Sequence, residues 1–169
     1  MGIQIQPRDV EILRYVRRYR LLRSRSHVLP LFGGSKHLLR RLKKLNDHKY
    51  LYRLPGRQPH EEAVYAIGNA GADLLHRRFG TPRPRVDYTQ QNRRLGPRFI
   101  DHTLLVADIM TAIELACRSR EDVDFISQRD ILTDWAPEST REESRKVGGQ
   151  PFRWRVRFEH EGKSYRKSI

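Results

Sequence analysis

The sequence predicts an α+β fold, in which helices and a β-hairpin form a first domain that a long helix and a small C-terminal β-hairpin region follow. Apolar residues recur at helical spacing through the N-terminal part, which predicts amphipathic helices. Two later stretches alternate apolar and polar residues on either side of a turn, which predicts β-hairpins. The chain has 169 residues, enough for one domain or two small ones with a buried core.

The first helix is predicted over about residues 7–20. Pro7 suits the first turn of a helix, because the N–H group that proline lacks would have no partner there. Val10, Leu13 and Val16 follow at spacings of three, so they share one face. We therefore expect this helix to bury that face in the core of the first domain.

A short second helix and a turn follow. Ser24 is a favourable cap for a helix over about residues 25–31, and Gly33 and Gly34 end that helix. Ser35 then caps a third helix. This order of a helix, a short helix, a glycine-containing turn and a further helix is typical of a helix-turn-helix domain.

The third helix, within the stretch SKHLLRRLKKLNDH, carries the most information. Leu38, Leu42 and Leu45 fall on one face, and His37 and Arg41 flank the opposite face. The cations of that opposite face are Lys36, Arg40, Lys43 and Lys44. No acidic residue lies among them, so we expect the helix to sit on a compact domain and present positive charge to a polyanion. The alternative is a solvated basic face.

A β-hairpin is predicted directly after the basic helix. Residues 50–54 and 63–67 alternate as strands, and Pro55 and Gly56 open the turn between them. A hairpin with a basic tip in this position is the wing of a winged helix-turn-helix DNA-binding domain, which we assign to residues 5–80.

The rest of the chain is predicted to contain a closing helix, a linker, a long helix and a small final region. Asn69 caps the closing helix, which runs to about Phe79. Residues 81–97 are rich in proline and arginine, so we assign them as a linker. Residues 98–119 form the long helix, and residues 120–169 form a small α+β region or an incomplete second domain that ends in a β-hairpin.

The long helix has a wide apolar face. Two adjacent lines of apolar residues run along it: Leu105, Ile109, Ala112 and Ala116 on one line, and Val106, Met110, Ile113 and Cys117 on the next. A face of this width covers two neighbours in one chain, or one neighbour and a second subunit. We expect it to pack on the winged-helix body, with part of it left for a homodimer contact.

Positive charge is concentrated at the N-terminal end. The net charge is +14, and the isoelectric point near 10.6 favours an anionic partner such as DNA, RNA or an acidic membrane surface. Residues 1–60 hold fifteen Lys and Arg against three Asp and Glu, whereas residues 101–140 hold three against nine. No apolar run reaches membrane-spanning length and no signal peptide is evident, so we expect a cytoplasmic, nucleoid-associated protein with no membrane partner.

Three segments carry a family resemblance: PRDVEILRYVRRYRLL, then SKHLLRRLKKLNDHKYLYR running on to AVYAIGNAGADLL, and finally FIDHTLLVADIMTAIELA. Together, over about residues 5–120, they resemble the opening helix, the recognition helix with its wing and closing helix, and the post-wing helix of the replication-relaxation family. The resemblance implies a winged-helix protein of bacterial plasmids or mobile elements that binds double-stranded DNA. Members often continue into a nuclease-like sheet with a proline-aspartate pair, which this sequence lacks.

The first residues of a recognition helix face base edges in the major groove. Arg40 is the best candidate for reading a base, because a guanidinium binds guanine O6 and N7 in bidentate fashion. Arg41, Lys43 and Lys44 are expected to contact phosphates. The predicted DNA-binding residues, including two on the wing, are Ser35, Lys36, His37, Arg40, Arg41, Lys43, Lys44, Arg53 and Arg57. Six more arginines either extend the phosphate contacts or form a solvated face: Arg14, Arg17, Arg18, Arg20, Arg23 and Arg25.

The sequence predicts no catalytic residue, metal ligand or cofactor. Glu161 and Lys163 have the Glu-x-Lys spacing of a two-metal nuclease strand, but Gly162 between them is typical of an ordinary hairpin turn. We therefore expect a non-enzymatic protein that binds duplex DNA and regulates transcription, replication or mobile-element maintenance. The alternatives are a nuclease or nicking accessory of the same family, and an RNA-binding or protein-recruiting module.

Overall fold

The structure, a computed structural model, describes residues 3–34, 36–56, 60–81, 83–120, 122, 137–139, 142, 155–160 and 163–168. It divides into two units, Met1–Phe125 and Ile126–Ile169. The described part of the first unit is mostly helical, with six α-helices and a small antiparallel sheet, and the described part of the second contains two paired strands. The predicted α+β class is therefore confirmed.

The elements of the first unit are α1 (Pro7–Tyr19), β1 (Leu22–Arg23), a π-helical turn (Ser24–Val28) continuous with α2 (Leu29–Phe32), α3 (Lys36–Asp47), β2 (Leu51–Arg53), β3 (Val64–Ile67), α4 (Asn69–Phe79), α5 (Tyr88–Arg93) and α6 (Pro97–Arg118). Strands β4 (Arg155–His160) and β5 (Lys163–Ser168) belong to the second unit. The predicted helices that correspond to α1, α3, α4 and α6 are each confirmed to within about two residues at their ends.

The core of the first unit lies between α1, α3, the sheet and α4. Helix α1 buries its three predicted apolar residues together with Ile12 and Tyr19, and α3 buries its three leucines. Burying a leucine or isoleucine side chain contributes roughly 1.5–3 kcal/mol, so these two helices alone supply much of the apolar stabilisation. Leu75 of α4 and Leu51 of β2 close the same cluster.

Three short strands form an antiparallel sheet in the order β1-β3-β2. Leu51 pairs with Ile67 and Arg53 with Tyr65, which confirms the predicted hairpin. Strand β1 adds a third strand through the pairing of Leu22 with Tyr65, in a stretch where the sequence predicts none. The hairpin is thereby joined to the segment between α1 and α2.

The predicted cap at Ser24 is wrong. Ser24 lies inside the π-helical turn, and its N–H group donates to the carbonyl of Ala63 at 2.9 Å. The backbone N–H groups of Arg25 and Ser26 donate instead to the carboxylate of Glu62, at 2.6 Å for Ser26. A carboxylate supplied from just before β3 therefore caps the turn, because it accepts two donors that a helix start leaves unpaired.

The predicted linker contains a helix, α5, which corrects the sequence-based assignment. Asp87 caps its start by accepting two backbone N–H bonds. Asn69 does not cap α4, because it is the first residue of that helix. Its side chain instead donates to Asp87 at 2.9 Å and accepts from the N–H of Tyr88 at 2.8 Å. Since Tyr88 is buried, this part of the chain is packed against the domain.

Helix α6 packs on the body of the unit mostly through a side other than the predicted wide face. On the first predicted line Leu105, Ile109, Ala112 and Ala116 are exposed, and on the second line Val106 and Ile113 are exposed while Met110 and Cys117 are half-buried. The buried residues are Leu104, Ala107, Thr111 and Glu114. The physical reason is that Asp108 and Glu114 form hydrogen bonds with side chains on the body of the unit. These hydrogen bonds determine which side of α6 faces the body.

The second unit contains the predicted C-terminal hairpin. Strands β4 and β5 are antiparallel, with Arg155 opposite Ser168 and His160 opposite Lys163. The predicted turn at Gly162, and Glu161 beside it, lie outside the described residues. In the part of the chain that the structure describes, no helix combines the length and apolar character needed to cross a bilayer.

Candidate nucleic-acid interface

Helix α3 places its cations on the surface as the sequence predicts. Its leucines are buried, and Lys36, His37, Arg40, Lys43 and Lys44 are all exposed. No carboxylate among the described residues forms an ion pair with any of the four Lys and Arg side chains in that set. We call these four residues, Lys36, Arg40, Lys43 and Lys44, the α3 basic face. Asp47, also exposed, lies beyond them in the last turn.

The end of α3 is fixed to the hairpin by hydrogen bonds. The side-chain oxygen of Asn46 accepts from the N–H of Arg53, the last residue of β2, at 2.8 Å. The N–H of Tyr50 donates to the carbonyl of Leu45 at 2.9 Å, which turns the chain from α3 directly into β2. The basic face and the hairpin are therefore held next to each other by the backbone, with the exposed Arg53 at the start of the hairpin loop.

Arg41 differs from its neighbours because its donors are used inside the fold. Its Nε and Nη2 atoms donate to the two carboxylate oxygens of Asp9, at 2.9 and 2.5 Å, and Nη2 also reaches the carbonyl of Gln4. The hydrogen bonds to Asp9 raise the pKa of the Arg41 guanidinium above its ordinary value, against the lowering effect of burial. Asp9 is only 1% exposed, so this pair joins α1 to α3.

Several other arginines that the sequence made candidates for phosphate contact also have internal partners. Arg14 pairs with Glu11 at 3.0 Å, Arg17 donates to the hydroxyl of Tyr88 at 2.5 Å, and Arg23 pairs with Asp108 at 2.6 Å. Arg18 and Arg20 lie over the rings of Tyr15 and Phe99, and Arg25 is exposed. The side chain of Arg8, which the sequence did not single out, donates to the carbonyls of Phe32 and Gly33 at the end of α2.

A shallow groove of about 270 Å³ lies between α3, the π-helical turn and the hairpin. Its walls include Arg25, Arg53 and His60, but also Glu61 and Glu62. Glu62 caps the π-helical turn, so its negative charge faces backbone N–H groups there. Sequence reasoning missed this cap because its donors lie more than thirty residues away. Two predicted contact residues, Ser35 and Arg57, lie outside the described residues.

Two acidic residues of α6 hold that helix against the body of the unit. Asp108 accepts from Arg23 and from Nε2 of His27, both at 2.6 Å, while Nδ1 of His27 accepts the N–H of Arg23. Burial alone would raise the pKa of the Asp108 carboxyl, but the hydrogen bonds from Arg23 and His27 outweigh it and lower that pKa. Asp108 is therefore a structural partner of Arg23 and His27.

Glu114 occupies the centre of a second polar cluster on α6. Its carboxylate accepts from the hydroxyls of Tyr15 and Tyr19, at 2.6 Å for Tyr19, and from Arg118 at 2.8 Å. Burial raises the pKa of the Glu114 carboxyl, and the three hydrogen bonds together lower it further than burial raises it. Arg118 also donates to the carbonyl of Leu31 at 2.5 Å, so this cluster joins α6 to both α1 and α2.

The described residues offer no grouping of three or more His, Cys, Asp or Glu side chains able to hold a metal ion. Lys163, one half of the Glu-x-Lys pattern, begins β5, while Glu161 lies outside the described residues. The nuclease alternative therefore stays a prediction.

The family model described as Replication-relaxation matches residues 13–164, which is most of the chain. The predicted resemblance is confirmed, and it extends beyond the long helix into the region of β4 and β5. No curated protein matches the chain, and no solved structure matches it.

Proposed function

The chain belongs to the replication-relaxation family, and we propose that it binds duplex DNA through α3 and regulates transcription or the replication of a plasmid or mobile element. We propose in addition that the first unit has a winged helix-turn-helix fold. The segment from α2 through α3 acts as the helix-turn-helix, and the β2–β3 hairpin acts as the wing.

One observation carries the proposal: the α3 basic face has no ion-pair partner among the described residues, whereas other N-terminal arginines do. Arg41 pairs with Asp9, and Arg23 with Asp108. The fold thus uses other cations for its own stability and leaves a compact set of four on one exposed helix face. Phosphate groups on duplex DNA supply the missing negative charge, and neutralising them releases condensed counterions.

The arrangement around α3 supports a groove-reading role rather than a general basic surface. Three buried leucines anchor α3 along its length, so its opposite face projects from the domain. The hairpin starts immediately after α3 and presents Arg53 beside it. In winged-helix and helix-turn-helix proteins, the N-terminal residues of such a helix contact base edges in the major groove, and flanking cations contact phosphates.

The residues of the α3 basic face are assigned different roles. Arg40, together with Lys36 and His37, occupies the N-terminal half of α3, so we assign it to base edges, where a bidentate contact to guanine discriminates by roughly 1–3 kcal/mol. Lys43 and Lys44 lie further along and are assigned to phosphates, which set position but carry no sequence information. Arg41 is not part of the proposed surface, because its guanidinium is bound to Asp9.

Fluorescence anisotropy with labelled duplexes from the DNA flanking the gene of this protein tests the assignment. We expect Arg40→Ala to cost ~1–3 kcal/mol on the preferred duplex and to relax base preference, and Lys44→Ala to weaken binding to all sequences alike. Arg94→Ala, which removes an exposed charge just beyond α5, is the matched control and should bind as the unmodified chain does. Identical effects of the Arg40 and Lys44 substitutions would contradict the division of roles.

Fluorescence anisotropy at different salt concentrations and with single-stranded RNA, together with a plasmid-nicking assay, separates duplex binding from the alternatives. If the four cations and Arg53 neutralise up to five phosphates, affinity should fall ~10²–10³-fold between 50 and 200 mM salt. Equal affinity for single-stranded RNA and duplex DNA would favour the RNA-binding alternative. Metal-dependent nicking of supercoiled plasmid that disappears in Glu161→Ala would favour the nuclease alternative.

A further inference from the structure

Helix α6 carries an apolar stripe that the described part of its own unit leaves uncovered. Leu105 and Ile109 are 58% and 54% exposed, and Val106 and Ile113 are each 43% exposed. All four lie on the side of α6 opposite Leu104, Ala107, Thr111 and Glu114, which face the body of the unit. Single exposed apolar residues are ordinary, but a contiguous stripe on a folded domain marks an interaction surface.

Leu105 and Ile109, together with two alanines that follow them, have the spacing of a helix–helix seam. Leu105, Ile109, Ala112 and Ala116 are separated by four, three and four residues, which is the alternation of the two core positions in a heptad repeat. All four are exposed. The same register continues toward the N-terminus at His102 with a polar side chain, so the apolar seam covers about three turns, or roughly 17 Å.

The order of residue sizes along the seam makes it complementary to itself. The large residues Leu105 and Ile109 come first, and the small residues Ala112 and Ala116 come last. When two copies of the helix pack antiparallel, Leu105 of one faces Ala116 of the other, and Ile109 faces Ala112. Both pairs are centred on the same point between residues 110 and 111, so a single two-fold axis there satisfies both, as an isologous contact requires.

The flank of the seam is also apolar. Val106 and Ile113 are both exposed and lie along one side of the seam. In the antiparallel arrangement, Val106 of one helix lies near Ile113 of the other, so the contact is widened by apolar side chains on both copies. A parallel arrangement would place large residues against large ones and alanine against alanine, and would leave a gap at the alanine end.

We propose that the exposed stripe of α6 is the contact between two copies of this chain, packed antiparallel about a two-fold axis near residues 110 and 111. A seam of three turns is small beside the roughly 800 Å² per partner of a standard stable interface. The dimer is therefore a concentration-dependent one. It needs no DNA, so it stands or falls separately from the proposed function.

Sedimentation velocity of the full chain without DNA, over micromolar to several hundred micromolar protein, is the first test. We expect the mass to rise from 20.1 kDa toward twice that value as concentration increases. Ile109→Asp should keep the chain monomeric throughout. Because Ile109 is more than half exposed, this variant should keep the circular dichroism spectrum and the urea midpoint of the unmodified chain.

Two further variants distinguish the proposed antiparallel register from non-specific hydrophobic association. Ala112→Leu adds apolar surface, so it would strengthen non-specific association, but it should weaken this dimer at least tenfold because the larger side chain would collide with Ile109 of the other copy. Exchanging the two residues in one chain, as Ile109→Ala with Ala112→Ile, should restore association. A monomer at every concentration, a dimer that survives Ile109→Asp, or tighter association by Ala112→Leu would each overturn the proposal.

Discussion

Arg40 and Arg41 are neighbours in α3, yet the fold gives their side chains different surroundings. Arg40 is exposed and forms no ion pair among the described residues, while Arg41 donates two hydrogen bonds to the buried carboxylate of Asp9. The helical wheel places Arg41 on the flank of the basic face, but it does not reveal the partner. Asp9 lies 32 residues earlier, in α1, and only the packing of α1 against α3 brings the two together.

Replacing Arg41 with alanine should destabilise the protein by about 2 kcal/mol, because the buried Asp9 carboxylate then loses the positive charge that it faces. The N–H of Gln6 would still donate a hydrogen bond to that carboxylate. Urea unfolding followed by circular dichroism measures the change. Arg40→Ala is the matched control, since the same substitution one residue away at an exposed site should stay within about 0.5 kcal/mol of the unmodified chain. Equal losses at the two positions would show that the Asp9 contact contributes nothing specific.

The junction between β3 and α4 depends on a glycine. A Cβ atom on Gly71 would lie 2.2 Å from the backbone carbonyl oxygen of Tyr50 and 2.9 Å from a methyl group of Ile67. That carbonyl cannot move away easily, because it accepts the N–H of Gly68 at 3.0 Å, while the N–H of Tyr50 is bonded to Leu45. Glycine at position 71 thus allows α4 to approach the chain between α3 and β2.

Gly71→Ala should therefore cost about 1–3 kcal/mol, the usual range for forcing extra atoms into a packed site. Thermal and urea unfolding of the variant measure the cost. Gly96→Ala is the control, because nothing lies within 4 Å of a Cβ at that position and its backbone is in the extended region. We expect Gly96→Ala to change stability by less than about 1 kcal/mol. A neutral Gly71→Ala would contradict the close approach of α4.

The elements that the sequence predicted best are those whose packing is apolar. Helices α1 and α3 bury mainly apolar faces, so periodicity indicated those faces, while Pro7 and Ser35 indicated where the helices begin. For α6, periodicity indicated the limits but not the buried side, because that side includes Thr111 and Glu114 and is selected by tyrosine and arginine partners far away in sequence. The short, polar α5 offers no stripe at all, and the capping residue Asp87 was its one signal.

The separation of charge along the sequence has a structural use. The acidic stretch contributes Asp108 and Glu114 of α6, and the basic N-terminal stretch contributes Arg23 to the first of these contacts. Fewer N-terminal Lys and Arg side chains are therefore available to a polyanion than the net charge suggests, since part of the positive charge is neutralised within the unit. A compact set of exposed cations remains on α3, so the same charge pattern both attaches α6 and defines the proposed DNA-binding surface.

The attachment of α6 should weaken in acid. The pKa of the Glu114 carboxyl is lowered in the folded protein, so the unfolded chain takes up the proton more readily and protonation favours unfolding. The stabilisation from Glu114 is complete above the ordinary value of 4.5 and is lost as the pH falls through the lower folded value. Glu114→Gln should thus be less stable than the unmodified chain by about 1–3 kcal/mol at pH 7.

Urea unfolding of the unmodified chain and of Glu114→Gln at pH 7, 5.5 and 3.5 tests this sign directly. The difference between the two proteins should be the same at pH 7 and 5.5 and should shrink at pH 3.5, because below pH 4.5 the unfolded form of the unmodified chain takes up a proton at Glu114, which favours unfolding, whereas the glutamine variant has no such group. General acid destabilisation from the net positive charge affects both proteins and cancels in the difference. A difference that persists unchanged at pH 3.5 would mean that side-chain shape at position 114, rather than its charge, attaches α6 to the body of the unit.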